Sequence, residues 1–163
     1  MSELEIVPYG AEHRDALLHI TEEAWGPVFA QSETQLPQFV LRAFFPNGWM
    51  PRQKSDVSAL LETEADLFWV ATSHGRVAGF VGIRIHAEDS MGEIHIIAVS
   101  PGAQRAGVAR ALIDHSEAVV QERGMSMMMV ETIGDEGHAP ARKTYESMGY
   151  QQWPVARYFK PLD

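Results

Sequence analysis

Between Val99 and Leu112 an Ile- and Val-rich run passes through a Pro101-Gly102 turn and a bend at Gly107 into an amphipathic run. A turn of that kind aims several backbone N–H groups at one point, beside the positive end of a helix dipole. A phosphate or pyrophosphate fits there. An ordinary strand-to-helix turn with a close-packing glycine reads the same way. Gly102 and Gly107 have the spacing of a nucleoside triphosphate loop. Val108 and Ala109, however, stand where Lys and then Ser or Thr would reach the terminal phosphates and the magnesium ion. The dinucleotide spacing Gly-x-Gly-x-x-Gly is absent from the turn as well.

What remains is Gln104, Arg105, Ala106, Gly107, Val108 and Ala109, in the pattern Gln/Arg-x-x-Gly-x-Gly/Ala. It resembles the acyl-CoA pyrophosphate loop of the GNAT superfamily of N-acetyltransferases. Two further features extend the resemblance. His138, Ala141, Tyr145, Gly149 and Tyr150 follow the spacing of the family pattern Asn-x-x-Ala-x-x-x-Tyr-x-x-x-Gly-Phe. Glu93 stands six residues before Val99, where several family members carry a carboxylate as general base. The resemblance runs over residues 4–160 and is most specific over 93–150.

Carried onto this chain, the resemblance implies that the backbone of Ile97 and Val99 pairs with the pantetheine arm like an added strand. The N–H groups of Gln104, Arg105, Ala106, Gly107, Val108 and Ala109 would hold the pyrophosphate, and Gly107, without a Cβ, would permit close approach. Arg105 would add positive charge nearby. Tyr145 would lie by the CoA sulfur and protonate the departing thiolate. His138 departs from the family's Asn. It either replaces that residue as a donor to CoA or faces the acceptor. The implied fold is α/β (α+β): a GNAT-like mixed, mostly antiparallel central sheet with helices on both faces and splayed central strands. The implied reaction is direct acetyl transfer from acetyl-CoA, in a ternary complex, to a primary amine of a small molecule or peptide. A non-catalytic acyl-CoA-binding or regulatory domain is the alternative, and a nucleotide-binding protein unrelated to CoA is a third reading.

Amide formation from a thioester needs an unprotonated nucleophile, a polarised carbonyl and a protonated leaving sulfur. A carboxylate such as Glu93 takes the amine's proton directly or through a water chain. On a regular strand His95 shares a face with Glu93 and is a second candidate base, with an intrinsic pKa nearer neutrality. Glu131, at the end of the next strand, is a third. A backbone N–H near Val99 would steady the oxyanion. The chemistry asks for no metal, and a hairpin turn explains the closeness of His86, Glu88 and Asp89 better than a metal site does.

The elements that must position these groups follow from the rest of the chain. At 163 residues it suits one domain, 1–163. It has no cysteine, so disulfides, thiolate sites and a Cys nucleophile are excluded. The net charge of −9 leaves no basic stripe for nucleic acid. No basic-then-apolar leader and no bilayer-length apolar run are visible, so a cytoplasmic protein with no membrane partner is expected. A homodimer through the last strands is expected by analogy.

Periodicity and breakers predict a strand over 5–8, a helix over 12–24 ended by Gly26-Pro27, a helix over 34–45, a loop over 46–51 and a short helix over 56–63. Strands are predicted over 67–72, 77–85 and 93–99, with Gly79 and Gly82 marking a bulge or the close approach of another group. A helix from Val108 is predicted to bury Val108, Ala111, Leu112, His115, Ala118 and Val119 on one face, with Gly124 capping it. The run 125–132 reads as a central strand, apolar on both faces. A helix stopped by Gly149 and two short closing strands over 150–152 and 155–159 complete the order. Trp25, Phe29, Phe45, Trp49 and Tyr158 either wall an acceptor pocket or belong to the core.

Overall fold

The computed structural model describes residues 3–162. Its strands are β1 (Leu4–Pro8), β2 (Phe68–Ser73), β3 (Arg76–His86), β4 (Met91–Val99) and β5 (Met127–Val130). They form one sheet in the order β1-β2-β3-β4-β5. The pairs β1–β2, β2–β3 and β3–β4 are antiparallel, and β4–β5 is parallel. Parallel neighbours need a crossover, here α4 (Val108–Glu122). The other helices are α1 (Arg14–Ser32), α2 (Gln38–Phe44), α3 (Trp49–Thr63) and α5 (Ala139–Ser147). The mixed, mostly antiparallel sheet predicted from the sequence is present.

Each face of the sheet carries its own apolar cluster. On one, Leu17, Ile20, Val57 and Leu61 from α1 and α3 meet Phe68, Val70, Phe80, Ile96 and Ala98. On the other, Val108, Leu112, Ile113 and Val120 of α4 and Tyr145 of α5 meet Ala71, Ala78, Val81, Ile83 and Ile94. The buried stripe of α4 is rotated from the predicted one. Ser116 is buried because its hydroxyl donates to the Leu112 carbonyl at 2.8 Å, while Ala118 faces outward.

Two features of β4 prepare the site. The first is a bulge. Gly82 stands opposite Ile96 and Ile83 opposite Ile94, so His95 has no partner on β3. Ile94 therefore enters one cluster and Ile96 the other, although the two are two residues apart. The extra residue here is on β4, opposite Gly82, whereas the bulge predicted within β3 falls at Ala78, beside Gly79. The predicted close approach is at Gly82, where a Cβ would lie 2.4 Å from the Phe68 ring.

The second feature is an open edge. β5 pairs with β4 only from Met91 to Ile94, while β4 continues to Val99. The Ser100 amide donates to the Ala78 carbonyl at 2.8 Å. Backbone groups alternate between the two edges of a strand, so Ala98 turns its N–H and C=O toward β3. Ile97 and Val99 turn theirs toward the side that β5 has left.

Several elements differ from expectation. Helix α1 does not stop at Gly26-Pro27 but runs through it to Ser32. Contacts beyond Pro27 outweigh the local cost of an interior proline, about 3 kcal/mol: Phe29 stacks on Trp49 with centroids 4.9 Å apart, and Ser32 is buried against Asp135. The loop predicted over 46–51 instead starts α3 at Trp49. Pro51 sits in that helix's first turn, where an amide has no helical partner anyway. β5 is an edge strand, not a central one, and Met127 is half exposed. The two closing strands are not formed. Residues 150–162 have no regular structure, and Trp153, Val155, Tyr158 and Leu162 are exposed. Pro154 and Pro161 supply no N–H to a ladder, and Phe159 packs on the Phe44 ring instead, 5.7 Å between centroids.

Candidate active site

After β4 the chain makes one tight turn over Pro101–Ala103 and reaches α4 through two left-handed residues, Arg105 (φ 63°) and Gly107 (φ 80°). Left-handed residues set into a right-handed stretch aim successive N–H groups the same way. Among the described residues nothing accepts from the amides of Arg105 through Arg110, and no side chain caps α4. Gln104 to Gly107 are exposed. The positive end of the α4 dipole adds to these amides, so the loop is an anion cradle. A Cβ on Gly107 would meet nothing within 4 Å, so the backbone conformation, not crowding, requires glycine there. The cradle can take an anionic group, and beside it Ile97 and Val99 offer the backbone groups of the open β4 edge.

Glu93 lies on the α3 face of the sheet. Its neighbour Gly92 points the other way, where a Cβ would sit 2.3 Å from Val120 of α4. Oε2 of Glu93 is 2.7 Å from His86 Nε2, and Oε1 is 3.9 Å from His95 Nδ1. Arg84, the register partner of Glu93, forms a bidentate pair with Glu64 just after α3, with both N···O distances 2.8 Å. That guanidinium holds the Glu64 carboxyl below the usual range. Burial, and then the charge of Arg84, hold His95 below the ordinary imidazole value against the opposite pull of Glu93 and Glu64. A neutral imidazole therefore faces α3 at pH 7. Its side chain lines an open cleft of about 300 Å³ with Asp56, Ala59, Leu60 and Thr63.

Tyr145 stands on the opposite face, in the cluster under α4, and is 9% exposed. Its ring is 5.9 Å from that of Tyr150, whose hydroxyl donates to Glu117 at 2.8 Å. Burial pushes the Tyr145 phenol up to about 12, so it stays protonated and can donate. Its hydroxyl makes no hydrogen bond among the described residues and is not sealed from solvent. The structure thus brings Glu93 and His95 together and sets Tyr145 across β4 from them.

His138 is tied down. Its Nδ1 lies 2.5 Å from Asp135 Oδ1, and its amide donates to the same oxygen at 3.0 Å. Ser32 donates to Asp135 Oδ2 at 2.5 Å. Burial alone would raise the Asp135 carboxyl, but the Ser32 hydroxyl and the His138 contacts outweigh it and hold it below the usual range. Only Nε2 of His138 is left for either role considered for it. Glu131 is exposed beyond β5. Phe29, Phe45 and Trp49 pack on one another and brace the ends of α1, α2 and α3, while Tyr158 is 90% exposed and walls nothing. Glu88 and Asp89 belong to the short turn after β3.

Sequence reasoning missed the roles of His86, of the Arg84–Glu64 pair and of the Asp135 clamp. Hairpin register could have found the first, because a short turn brings 86 back beside 93. No local pattern signals a partner 103 residues away, as Ser32 is from Asp135.

The model of the Acetyltransferase (GNAT) family matches residues 33–150. A mycothiol acetyltransferase of Thermomonospora curvata is 34% identical over 91 residues, covering 56% of this chain and 29% of that protein. The chain spans about half or less of the curated mycothiol acetyltransferases it matches. The ribosomal-protein-S18-alanine N-acetyltransferase of Escherichia coli superposes with a TM-score of 0.67 at 23% identity, over 98% of this chain and 84% of that one. The PaiA N-acetyltransferase of Thermoplasma acidophilum, solved with coenzyme A, gives 0.73 at 15% identity, over 94% and 93%. These structural likenesses speak to the fold.

Proposed function

This chain belongs to the Acetyltransferase (GNAT) family, and from that premise we propose that residues 1–163 act as one acetyl-CoA-dependent N-acetyltransferase domain. The family's donor, acetyl-CoA, supplies the acetyl group on an activated thioester. The observation that carries the reading is the run of unpartnered amides from Arg105 to Arg110, next to the open edge of β4.

In this reading the amides of Arg105 to Ala109 bind the diphosphate, with Arg105 adding charge, while the amide of Gln104, expected from the sequence to join them, already donates to the Pro101 carbonyl at 3.4 Å. Ile97 and Val99 align the pantetheine arm through their free backbone groups. Tyr145 holds a proton for the leaving sulfur. Glu93 is the carboxylate that draws the proton from the amine, directly or through an intervening group. Nε2 of His138 faces the bound donor or the acceptor. The exposed apolar tail around Trp153, Val155 and Tyr158 supports a second copy of the chain as a partner.

The test is a screen for free thiol released from acetyl-CoA. The amines are lysine side chains, peptide amino termini, polyamines, aminoglycosides and the acceptor of mycothiol acetyltransferases. Calorimetry of CoA against ATP runs in parallel. Thiol release with at least one amine, and CoA bound more tightly than ATP, are expected. CoA binding with no transfer to any amine would make the chain a non-catalytic acyl-CoA binder.

A further inference from the structure

We propose that His95 is the group that touches the acceptor amine: its Nε2 takes the amine's proton in the cleft between α3 and β4, and Glu93 holds the imidazole from behind. The proposal rests on the acetyltransfer reading above and identifies the intervening group in it.

The bulge is the first support. His95 has no partner on β3, and its side chain lines the cleft formed with Asp56, Ala59, Leu60 and Thr63. A β-bulge re-aims one side chain without ending the strand, and such bulges are frequent beside active sites. The second support is the direction of the ring. Nδ1 faces Glu93 Oε1 at 3.9 Å, so Nε2 lies on the far side of the ring from the carboxylate. Nε2 has no hydrogen-bond partner among the described residues and is not sealed from solvent. The third is that the other oxygen of Glu93 is already engaged, 2.7 Å from His86. A carboxylate hydrogen-bonded to one imidazole and with its other oxygen turned to a second, 3.9 Å away, is placed to act on that second ring by its charge and poorly placed to meet a substrate itself.

The charged and titratable groups facing His95 are Arg84 on β3, Glu64 after α3, Glu93 on β4 and Asp56 on α3, with Arg52 3.7 Å from Asp56. Burial and Arg84 keep the ring neutral at pH 7, ready to accept. When it does, Glu93 stabilises the imidazolium. In the reaction one N–H bond of the amine breaks, an N–C bond forms and the C–S bond breaks. The amine's proton goes to His95 Nε2 and then to solvent through the open cleft. The leaving sulfur takes a proton from Tyr145, which regains one from solvent.

The test is the pH dependence of kcat and kcat/KM for wild type, His95→Gln, His95→Ala and Glu93→Gln, with the best amine from the screen and CoA affinity measured by calorimetry. Wild-type kcat/KM should rise with pH through a limb below the ordinary imidazole value. His95→Gln should lose that limb and about 100-fold in kcat while CoA affinity holds, which also reports that the variant is folded. Added imidazole should restore part of the His95→Ala rate, since the cleft is open. Glu93→Gln should keep the limb but move it to lower pH, because a charge favouring the protonated ring is gone. A limb retained in His95→Gln and abolished in Glu93→Gln would make Glu93 the direct base and overturn the proposal, as would His95 variants as fast as wild type. Wild type that binds CoA but acetylates no amine overturns the acetyltransfer reading itself, and the proposal with it.

Discussion

Oε2 of Glu93 lies 2.7 Å from Nε2 of His86 across the β3–β4 hairpin, and both side chains are largely withdrawn from water. A hydrogen bond to an ionised group is stronger than a neutral one, about 1.5–3 kcal/mol net. With the His86 side chain 31% exposed, solvent screening brings the pair below that range. His86→Ala should therefore cost about 1 kcal/mol, read as a lower urea midpoint with an unchanged m-value. A midpoint equal to that of wild type would mean that the pair is not made in solution.

The Arg84–Glu64 pair gives a pH signature of known sign. The guanidinium holds the Glu64 carboxyl below its unfolded value. The unfolded chain then binds the proton more readily, so stability rises with pH in that range. The contribution is full above the unfolded carboxyl value and is lost as pH falls through the lower folded one. Glu64→Gln should flatten the stability curve in that acid window and leave the slope near neutrality alone. Urea melts at steps of half a pH unit check this, and an unflattened curve would remove the pair from the account.

What could be read in the chain, and what could not, follows from the range of the physics involved. Gly107 was legible as a loop glycine because its conformation is local, and the structure gives it φ 80°. The alternation and glycines of β3 gave away a bulge for the same reason. The continuation of α1 past Pro27 was not legible, since Phe29 is held by Trp49 and Ser32 by Asp135, both distant in sequence. The closing strands were misread because Val155 to Phe159 has strand composition, while composition says nothing about whether a free edge is there to receive it. For the site, strand alternation already puts His95 on the face of Glu93. The slip that leaves His95 without a β3 partner and the contact of His86 with Glu93 could not be read, because both depend on pairing across the hairpin.

Gly107 separates conformation from space. Nothing lies within 4 Å of where its Cβ would be, so Gly107→Ala meets strain and no clash. A left-handed non-glycine residue costs roughly 1–2 kcal/mol, and Asn tolerates that region better than Ala. Gly107→Ala should weaken CoA binding by about 10-fold, the equivalent of 1.4 kcal/mol, as the loop relaxes and its amides lose their common aim. Gly107→Asn should recover a good part of that. Calorimetric titration of both variants decides it. Equal losses in the two would point to steric blockade by any side chain instead.

Asp135 ties the start of α5 to the end of α1. Its carboxylate accepts from Ser32 at 2.5 Å and from the His138 amide at 3.0 Å, and it faces His138 Nδ1 at 2.5 Å, all with the carboxyl nearly buried. Arg142 adds a second hold by donating to the Ile133 and Asp135 carbonyls at 2.7 and 2.6 Å. Asp135→Asn keeps the shape but removes the charge and puts N–H groups where an acceptor is needed. A buried donor left without its acceptor costs the full desolvation penalty, so a loss of about 3 kcal/mol is expected. At about 2–4 °C per kcal/mol for a chain of this size, Tm should fall by about 6–12 °C. The sign of the pH dependence follows from the depressed carboxyl: the clamp is intact above the unfolded value and opens as pH falls through the folded one. Because the same loop carries His138 across from β5 to α5, its release should also raise hydrogen exchange at the His138 amide before the rest of the chain opens. An Asp135→Asn protein with wild-type Tm and a still-protected His138 amide would show that packing of Gly137 against α1, not the carboxylate, holds the loop.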